Sequence, residues 1–223
     1  MKTIAHINTD FPTKFGIPRQ SGIIESLKGT IVFEPEYRKP EAVRGLEDFS
    51  HLWLIWEFSE AKRDTWSPTV RPPRLGGNVR KGVFATRSPF RPNPIGLSCV
   101  KLDHIEMDPK LGPVLHVNGA DLMDGTPIYD IKPYIAYTDS HPEAVSGFAT
   151  QPTEYLLEVD FPETLLQQLP ETQRESLIAV LQHDPRPQYQ DDPERVYGMA
   201  FGPYEVRFKV KDLNLTVIDL KTT

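Results

Sequence analysis

The side chains of this chain best suited to chemistry are guanidiniums set among prolines and glycines. One run reads Arg71-Pro72-Pro73-Arg74-Leu75-Gly76-Gly77-Asn78, and a second, Gly82–Ser98, carries Arg87 and Arg91 among three prolines. A guanidinium offers a planar fork of donors that matches a carboxylate or a phosphate bidentately. Proline fixes φ and glycine opens φ > 0, so these backbones are shaped locally rather than by a helix. Three more segments are equally dense: Phe15-Gly16-Ile17-Pro18-Arg19-Gln20, Asp121–Tyr134 and Asp184–Gln190. Asp121, Asp124 and Asp130 invite a metal reading, but their spacing is not that of a calcium loop with ligands at alternating positions. Asp124-Gly125-Thr126-Pro127 is instead a good turn. We expect no metal.

Other signatures are missing. The chain has no phosphate-cradling Gly-rich loop, no Gly-x-Gly-x-x-Gly fingerprint and no His-Glu-x-x-His, which argues against a nucleotide bound in the doubly wound manner. The single Cys excludes a disulfide framework and a Cys-rich zinc site. Ser88 and Ser98 lack a nucleophile-elbow context. The six His are scattered and read as structural or surface residues.

Charge sharpens the picture. The 223 residues carry 25 Lys+Arg against 31 Asp+Glu, a net charge of −6, which taken alone disfavours a nucleic-acid partner. Residues 65–102 nevertheless hold seven basic residues (Arg71, Arg74, Arg80, Lys81, Arg87, Arg91 and Lys101), no acid, and six of the 22 prolines. That stretch is either a solvated loop paired with acids elsewhere or a site for an anion. No apolar run is long enough to cross a bilayer and no secretory signal is visible, so a cytoplasmic protein is expected.

The elements that must position these residues are mostly strands. Thr3–Thr9, Gly29–Pro35, His51–Phe58, Gly82–Thr86, Leu97–Met107, Val114–Gly119 and Tyr129–Tyr134 are rich in branched and aromatic residues and bounded by turn formers. Only Glu41–Gly45 looks like a short helix among them. Many short strands without amphipathic helices between them predict a barrel or sandwich, not a doubly wound sheet. Composition shifts at a linker over 141–153. Beyond it, Tyr155–Phe161 predicts a strand, and Thr172 with Glu175 fits a capping box opening a helix to Gln182. Tyr204–Lys211 and Asn214–Lys221 predict a hairpin. The expected fold is a mainly β N-terminal domain, barrel or sandwich, over 1–140 and a small α+β domain over 154–223.

Taken together, Ile17–Gln20, Gly45–Trp53, Arg71–Asn78, Gly82–Ser98, Asp121–Tyr134 and Asp184–Gln190 resemble the TsaA-like (YaeB) family of tRNA methyltransferases, the TrmO type. The resemblance covers most of residues 3–140 and reaches into the C-terminal part. It implies a β-barrel methyltransferase, not a Rossmann one. It implies methyl transfer from S-adenosylmethionine to the 6-amino nitrogen of threonylcarbamoyladenosine at tRNA position 37, and a homodimer with the cofactor near the subunit contact. Carried over by position, the cofactor site draws on Pro18, Arg19, Gln20, Phe58, Ser59, Arg87, Leu97, Asp124, Gly125, Thr126 and Pro127. Arg19 or Arg87 would pair with the methionyl carboxylate, and Leu97 and Phe58 would pack on adenine. Arg71, Arg74, Arg80, Lys81 and Arg91 would grip phosphates of the anticodon stem-loop. The resemblance names no general base; Asp124, Asp130 and Tyr189 are candidates. Ser88-Pro89-Phe90 varies in the family, whereas Arg91 and Asn93 fit its pattern. Other classes stay open: a non-catalytic tRNA-binding barrel, or a methyltransferase acting on a small anionic metabolite.

Overall fold

The computed structural model describes residues 1–61, 64–149, 155–186 and 192–223. In chain order its strands are β1 (Ala5–Thr9), β2 (Lys28–Phe33), β3 (His51–Glu57), β4 (Thr69–Val70), β5 (Lys81–Gly82), β6 (Ile95–Asp108), β7 (Gly112–Asn118), β8 (Thr126–Pro133), β9 (Glu158–Asp160), β10 (Tyr197–Phe201), β11 (Tyr204–Lys211) and β12 (Asn214–Thr222). The helices are α1 (Ala136–Asp139), α2 (Glu163–Leu166) and α3 (Glu171–Gln182). Six strands close a barrel in the order β1-β2-β7-β6-β3-β8, with every neighbouring pair antiparallel. Closure pairs every strand edge and leaves none to template aggregation.

Period-2 alternation puts one face of each strand inside. Ala5 and Ile7, Ile31 and Phe33, Leu52, Leu54 and Trp56, Val100 and Leu102, Leu115 and Val117, and Ile128 fill the lumen. Burying a side chain of the Leu or Ile class contributes about 1.5–3 kcal/mol, so this filling dominates barrel stability. Gly96 of β6 sits directly beneath the Trp56 indole, where a Cβ would come within 2.2 Å of the ring. The bulk of Trp56 and the absence of bulk at Gly96 are one packing decision, and the pair sits in register across β3 and β6.

The C-terminal part is a four-stranded sheet in the order β10-β11-β12-β9, with β9 parallel to β12. Leu177, Val180 and Leu181 of α3 are buried in its core with Tyr197, Phe201, Phe208 and Leu215. The expected hairpin is present: Lys211 pairs with Asn214 across Asp212-Leu213, and Asp212 takes the left-handed φ of 54° that such a turn requires. The parallel β9–β12 pairing closes across almost the whole domain and has no local sequence signal.

Three expectations are corrected. Gly82–Thr86 is not a strand; β5 stops at Gly82 and Val83–Ala85 is a 3-10 turn. The Arg91 guanidinium holds that turn by donating to the Val83 and Thr86 carbonyls at 3.2 and 2.6 Å. The capping box also fails. α3 begins at Glu171 after Pro170, without a side-chain cap, so Thr172 is already inside the helix. The short helix expected at Glu41–Gly45 is a 3-10 turn at Pro40–Val43.

Phe11, Ile24 and Leu27, from the loop between β1 and β2, belong to the C-terminal core rather than to the barrel. Phe11 meets Phe201 edge-on at 5.6 Å. Gln173 donates to the Asp10 carboxylate at 2.6 Å, Ser176 to the Ser26 carbonyl at 2.7 Å, and the Gly202 amide to the Asp10 carbonyl at 2.7 Å. Gly16, at φ 91°, leaves room for Met199, whose sulfur would lie 2.2 Å from a Cβ there.

Candidate cofactor and nucleic-acid site on the barrel rim

In an all-antiparallel barrel, alternate connections leave from the same end. The loops β1–β2 (10–27), β3–β6 (58–94) and β7–β8 (119–125) therefore share one rim. Every candidate cofactor residue lies on these loops or at the strand ends that enter them. Pro18, Arg19 and Gln20 are on the first loop, Phe58, Ser59 and Arg87 on the second. Leu97 is near the start of β6, Asp124 and Gly125 close the third loop, and Thr126 and Pro127 open β8.

A part-buried polar chain ties the first and third of these loops to β3 and β6. The Trp56 indole N–H donates to Ser98 Oγ at 2.9 Å, and Ser98 donates to the Asp121 carboxylate at 2.6 Å. The Ser21 amide also donates to Asp121, while Ser21 Oγ accepts from the Cys99 amide at 3.0 Å. The Gly22 amide donates to the Gly119 carbonyl at 2.9 Å. Burial raises the Asp121 carboxyl above the usual carboxylate range; its hydrogen bonds and the positive charge of Arg87 oppose this without cancelling it. None of Asp121, Ser98, Ser21 or Trp56 stood out as a site residue from sequence. The signal that could have found two of them was a polar Ser98 and a small Gly96 at lumen-facing positions of β6.

The carried-over residues have distinct surroundings. Arg87 is exposed and donates to the Gln20 side-chain carbonyl, and Gln20 donates to the Arg19 carbonyl. Arg19 is exposed as a residue, yet protein mass around its guanidinium, and then the charge of Arg74, hold it below the ordinary arginine range. Asp184 counteracts this only in part, because it is already committed: Arg186 clamps it through two bonds of 2.8 and 2.9 Å and Tyr155 donates to it at 3.2 Å. Of Asp184–Gln190, positions 187–190, Tyr189 included, lie outside the described residues.

The Phe58 ring lies against Trp56 with centroids 4.3 Å apart and planes tilted by 58°, and the Phe58 amide donates to the Pro94 carbonyl. Ser59 is exposed in a 3-10 turn. Leu97 is 54 % exposed on the outer wall, in one cross-strand row with Ile55 and Asp130. Asp130 is 3.1 Å from Lys132. Asp124 accepts from the Thr9 amide at 3.0 Å and from Asn8 at 3.4 Å, and the Gly125 amide donates to the Ile7 carbonyl. Thr126 is buried and spends its hydroxyl on the Met123 carbonyl, so it has only backbone to offer a ligand. Pro127 lies opposite His6.

Among the described residues, none of the seven cations of 65–102 makes a salt bridge. Arg71, Arg74 and Arg80 are exposed. Arg80 donates to Thr69 Oγ1 at 3.1 Å, and the Lys81 ammonium lies 6.0 Å from the Phe148 ring. Arg91 differs: its guanidinium braces the Val83–Ala85 turn. Within the described residues the acid-free stretch is therefore a positive rim without internal counter-ions, not a loop neutralised by acids elsewhere.

The structure is thus a closed antiparallel barrel with a cationic, loop-built rim, carrying a small α+β domain that grips one of its loops. The family model described as the tRNA-methyltransferase O N-terminal domain matches residues 6–140, and that of the TrmO C-terminal domain matches residues 154–223. The chain belongs to this family. It is 39 % identical over 226 residues to the tRNA (adenine(37)-N6)-methyltransferase of Escherichia coli K12, covering 98 % of this chain and 96 % of that protein. It is 39 % identical over 213 residues, 92 % of this chain and 90 % of the other, to a Pseudomonas aeruginosa protein whose name assigns it provisionally as an S-adenosylmethionine-dependent methyltransferase. A crystal structure of TrmO from Pseudomonas aeruginosa superposes with a TM-score of 0.78 at 32 % identity, covering 98 % of this chain and 97 % of that one.

Proposed function

We propose that this protein methylates the 6-amino nitrogen of adenine 37 in tRNA, with S-adenosylmethionine as donor and threonylcarbamoyladenosine as the modified form of its substrate. The observation that carries the reading is six cations on the β3–β6 rim loop, without salt bridges among the described residues, on a protein of net charge −6. Such a rim exceeds what one small anion needs and suits a run of phosphates, while the acidic remainder discourages indiscriminate RNA binding. Relatives named for this activity span nearly the whole chain. The adenine next to the anticodon lies in a loop, so it can be splayed out without opening a duplex.

The donor set fits S-adenosylmethionine. Arg87, steadied by Gln20, and Arg19, close to another cation, both suit a carboxylate. Phe58 and the exposed Leu97 offer apolar surface to an adenine ring. Pro18, Ser59 and the Asp124–Pro127 turn contribute backbone and walls. When bound, the cofactor supplies a methyl group on a sulfonium. The residues of the chain align the amino nitrogen for in-line attack and exclude water. A carbamoylated nitrogen has a delocalised lone pair, so loss of its proton during attack favours the N–C bond. Asp124, held by Thr9 and Asn8, stands at the rim, whereas Asp130 lies down the wall beside Lys132. Asp124 is thus the better placed carboxylate of the two.

Ile95 and Leu97 leave apolar surface exposed on the outer wall, which a second subunit would cover in a homodimer. We assign residues 1–140 to the barrel domain, 141–153 to a linker and 154–223 to the C-terminal domain, acting in the cytoplasm. No helix among the described residues is long and apolar enough to cross a membrane. The decisive experiment incubates the protein with methyl-labelled S-adenosylmethionine and total tRNA and analyses the nucleosides. Label in N6-methylated threonylcarbamoyladenosine is expected; label in no nucleoside overturns the reading.

A further inference from the structure

Two large aromatic side chains stand in water beside the cationic rim without covering any core. Trp66 is 53 % and Phe84 72 % exposed, and their ring centroids are 6.1 Å apart at 32°. They are eighteen residues apart in sequence. A small ribbon brings them together: Thr69 pairs with Gly82, Val70 with Lys81, and the Val83 amide donates to the Pro68 carbonyl at 2.9 Å. Both rings then leave the ribbon at the same end, beyond the Thr69–Gly82 pair.

Phe84 is not free to collapse inward. It sits in the middle of the Val83–Ala85 turn, whose Val83 is buried and whose carbonyl accepts from Thr86 Oγ1 at 2.8 Å and from Arg91. The Arg91 guanidinium lies 5.9 Å from the Phe84 ring, a cation on one side of an exposed π-face. Exposed aromatics cost hydrophobic free energy, and Phe84 is held outward by the hydrogen bonds of its turn, with Trp66 against it. The segment around them has no acid between residues 65 and 102, and Arg71, Arg74 and Arg80 stand on the connection between the two rings.

We propose that Trp66 and Phe84 form a stacking platform for an unpaired base of the RNA, with the neighbouring arginines on the phosphates either side. The chemistry is that of single-stranded nucleic-acid recognition, in which aromatic faces take bases and a cationic track takes the backbone. The proposal rests on the tRNA reading above and extends it: the platform holds a loop base next to the target, so that the target adenine is presented to the rim. The acid-free charge favours an RNA base over a protein surface as the occupant.

The test uses the full chain and a synthetic anticodon stem-loop RNA carrying threonylcarbamoyladenosine at position 37. Stacking is not ion release, so it leaves a distinctive mark. Trp66→Ala with Phe84→Ala should weaken stem-loop binding by about tenfold or more at every salt concentration, with the slope against salt unchanged. KM for RNA should rise in step, and S-adenosylmethionine affinity by calorimetry should stay at the wild-type value. Trp66→Phe keeps a π-face, so it should retain most of the affinity while losing the tryptophan quenching that the RNA produces in wild type. Wild-type affinity in the double variant overturns the platform alone, as does a shallower salt slope, or a changed oligomeric state with unchanged RNA affinity. Failure of the wild type to bind the stem-loop overturns the platform and the tRNA reading together.

Discussion

Asp121 accepts hydrogen bonds from Ser98 and from the Ser21 backbone in a nearly closed site at the rim. Its carboxyl is raised above the ordinary range, so in the folded state the protonated form is favoured more than in the unfolded chain. The stability it contributes is complete below the unfolded value and is lost as pH rises through the raised folded value. Asp121→Asn should therefore flatten the unfolding midpoint over that window and be no less stable than wild type at neutral pH, as thermal melts across pH would report. Asp121→Ala should cost about 1–3 kcal/mol, because it strands the Ser98 hydroxyl and the Ser21 amide without an acceptor. Arg87 makes a different kind of contribution. Its guanidinium is exposed and leans only on Gln20, so Arg87→Ala should leave the melting temperature nearly unchanged. Calorimetry should show S-adenosylmethionine binding weakened by about tenfold or more, the worth of a charge-assisted pair. Wild-type affinity in that variant would remove Arg87 from the cofactor site.

At the scale of elements, the β3–β6 connection is where the chain departs from barrel economy. The loop is long and proline-rich, and it carries the cations. Its own ribbon of β4 and β5 and the Arg91-braced turn give it shape, so Arg74 and Arg80 project from a structured surface. Arg80 is further steadied by Thr69. Replacing both Arg74 and Arg80 with Ala should lower the slope of log affinity against log salt by about 0.7–0.9 for each phosphate that is no longer neutralised. Filter binding of tRNA across a salt series checks this, and an unchanged slope would move the phosphates elsewhere. The strands themselves were legible from alternation and β-branching: β1, β2, β3, β6, β7 and β8 all fall where apolar periodicity placed strands, with ends displaced by one to three residues. Gly82–Thr86 misled because its Val and Phe mimic a strand, whereas Arg91, five residues beyond, turns it by bonding carbonyls. Sequence could not show that bond, since a guanidinium reaching back to a backbone oxygen has no pattern.

Across the whole molecule, the C-terminal domain is built around one of the barrel's own rim loops. Phe11, Ile24 and Leu27 of the β1–β2 loop are core residues of that domain, and the same loop carries Pro18, Arg19 and Gln20. The Asp184–Arg186 clamp lies within electrostatic reach of Arg19. The domain thus sets where the first loop stands. Phe201→Ala, which opens a cavity beside Phe11, should cost roughly 3–5 kcal/mol of stability. It should also weaken S-adenosylmethionine binding, although Phe201 is not itself a candidate cofactor residue. Chemical denaturation paired with calorimetry separates the two effects. Unaltered cofactor affinity in a folded variant would make the domain a passenger to that site.

Sequence by itself determined the strand content, the barrel-or-sandwich class, the exclusion of a glycine-fingerprint cofactor fold and the acid-free stretch, because each depends on local composition or on a period of two along one strand. Its motifs also carried the family resemblance. Only the tertiary structure decided that three loops from distant parts of the chain share one rim, that Asp121 joins the β1–β2 loop to β6 through Ser21 and Ser98, that Arg91 is a brace, and that Trp66 faces Phe84. It alone showed the C-terminal core taking its residues from the β1–β2 loop. The physical reason is closure. Which residues meet at a rim follows from strand order around the barrel, and that order is set by hydrogen-bond pairing between segments as distant in sequence as Ala5 of β1 and Ile128 of β8.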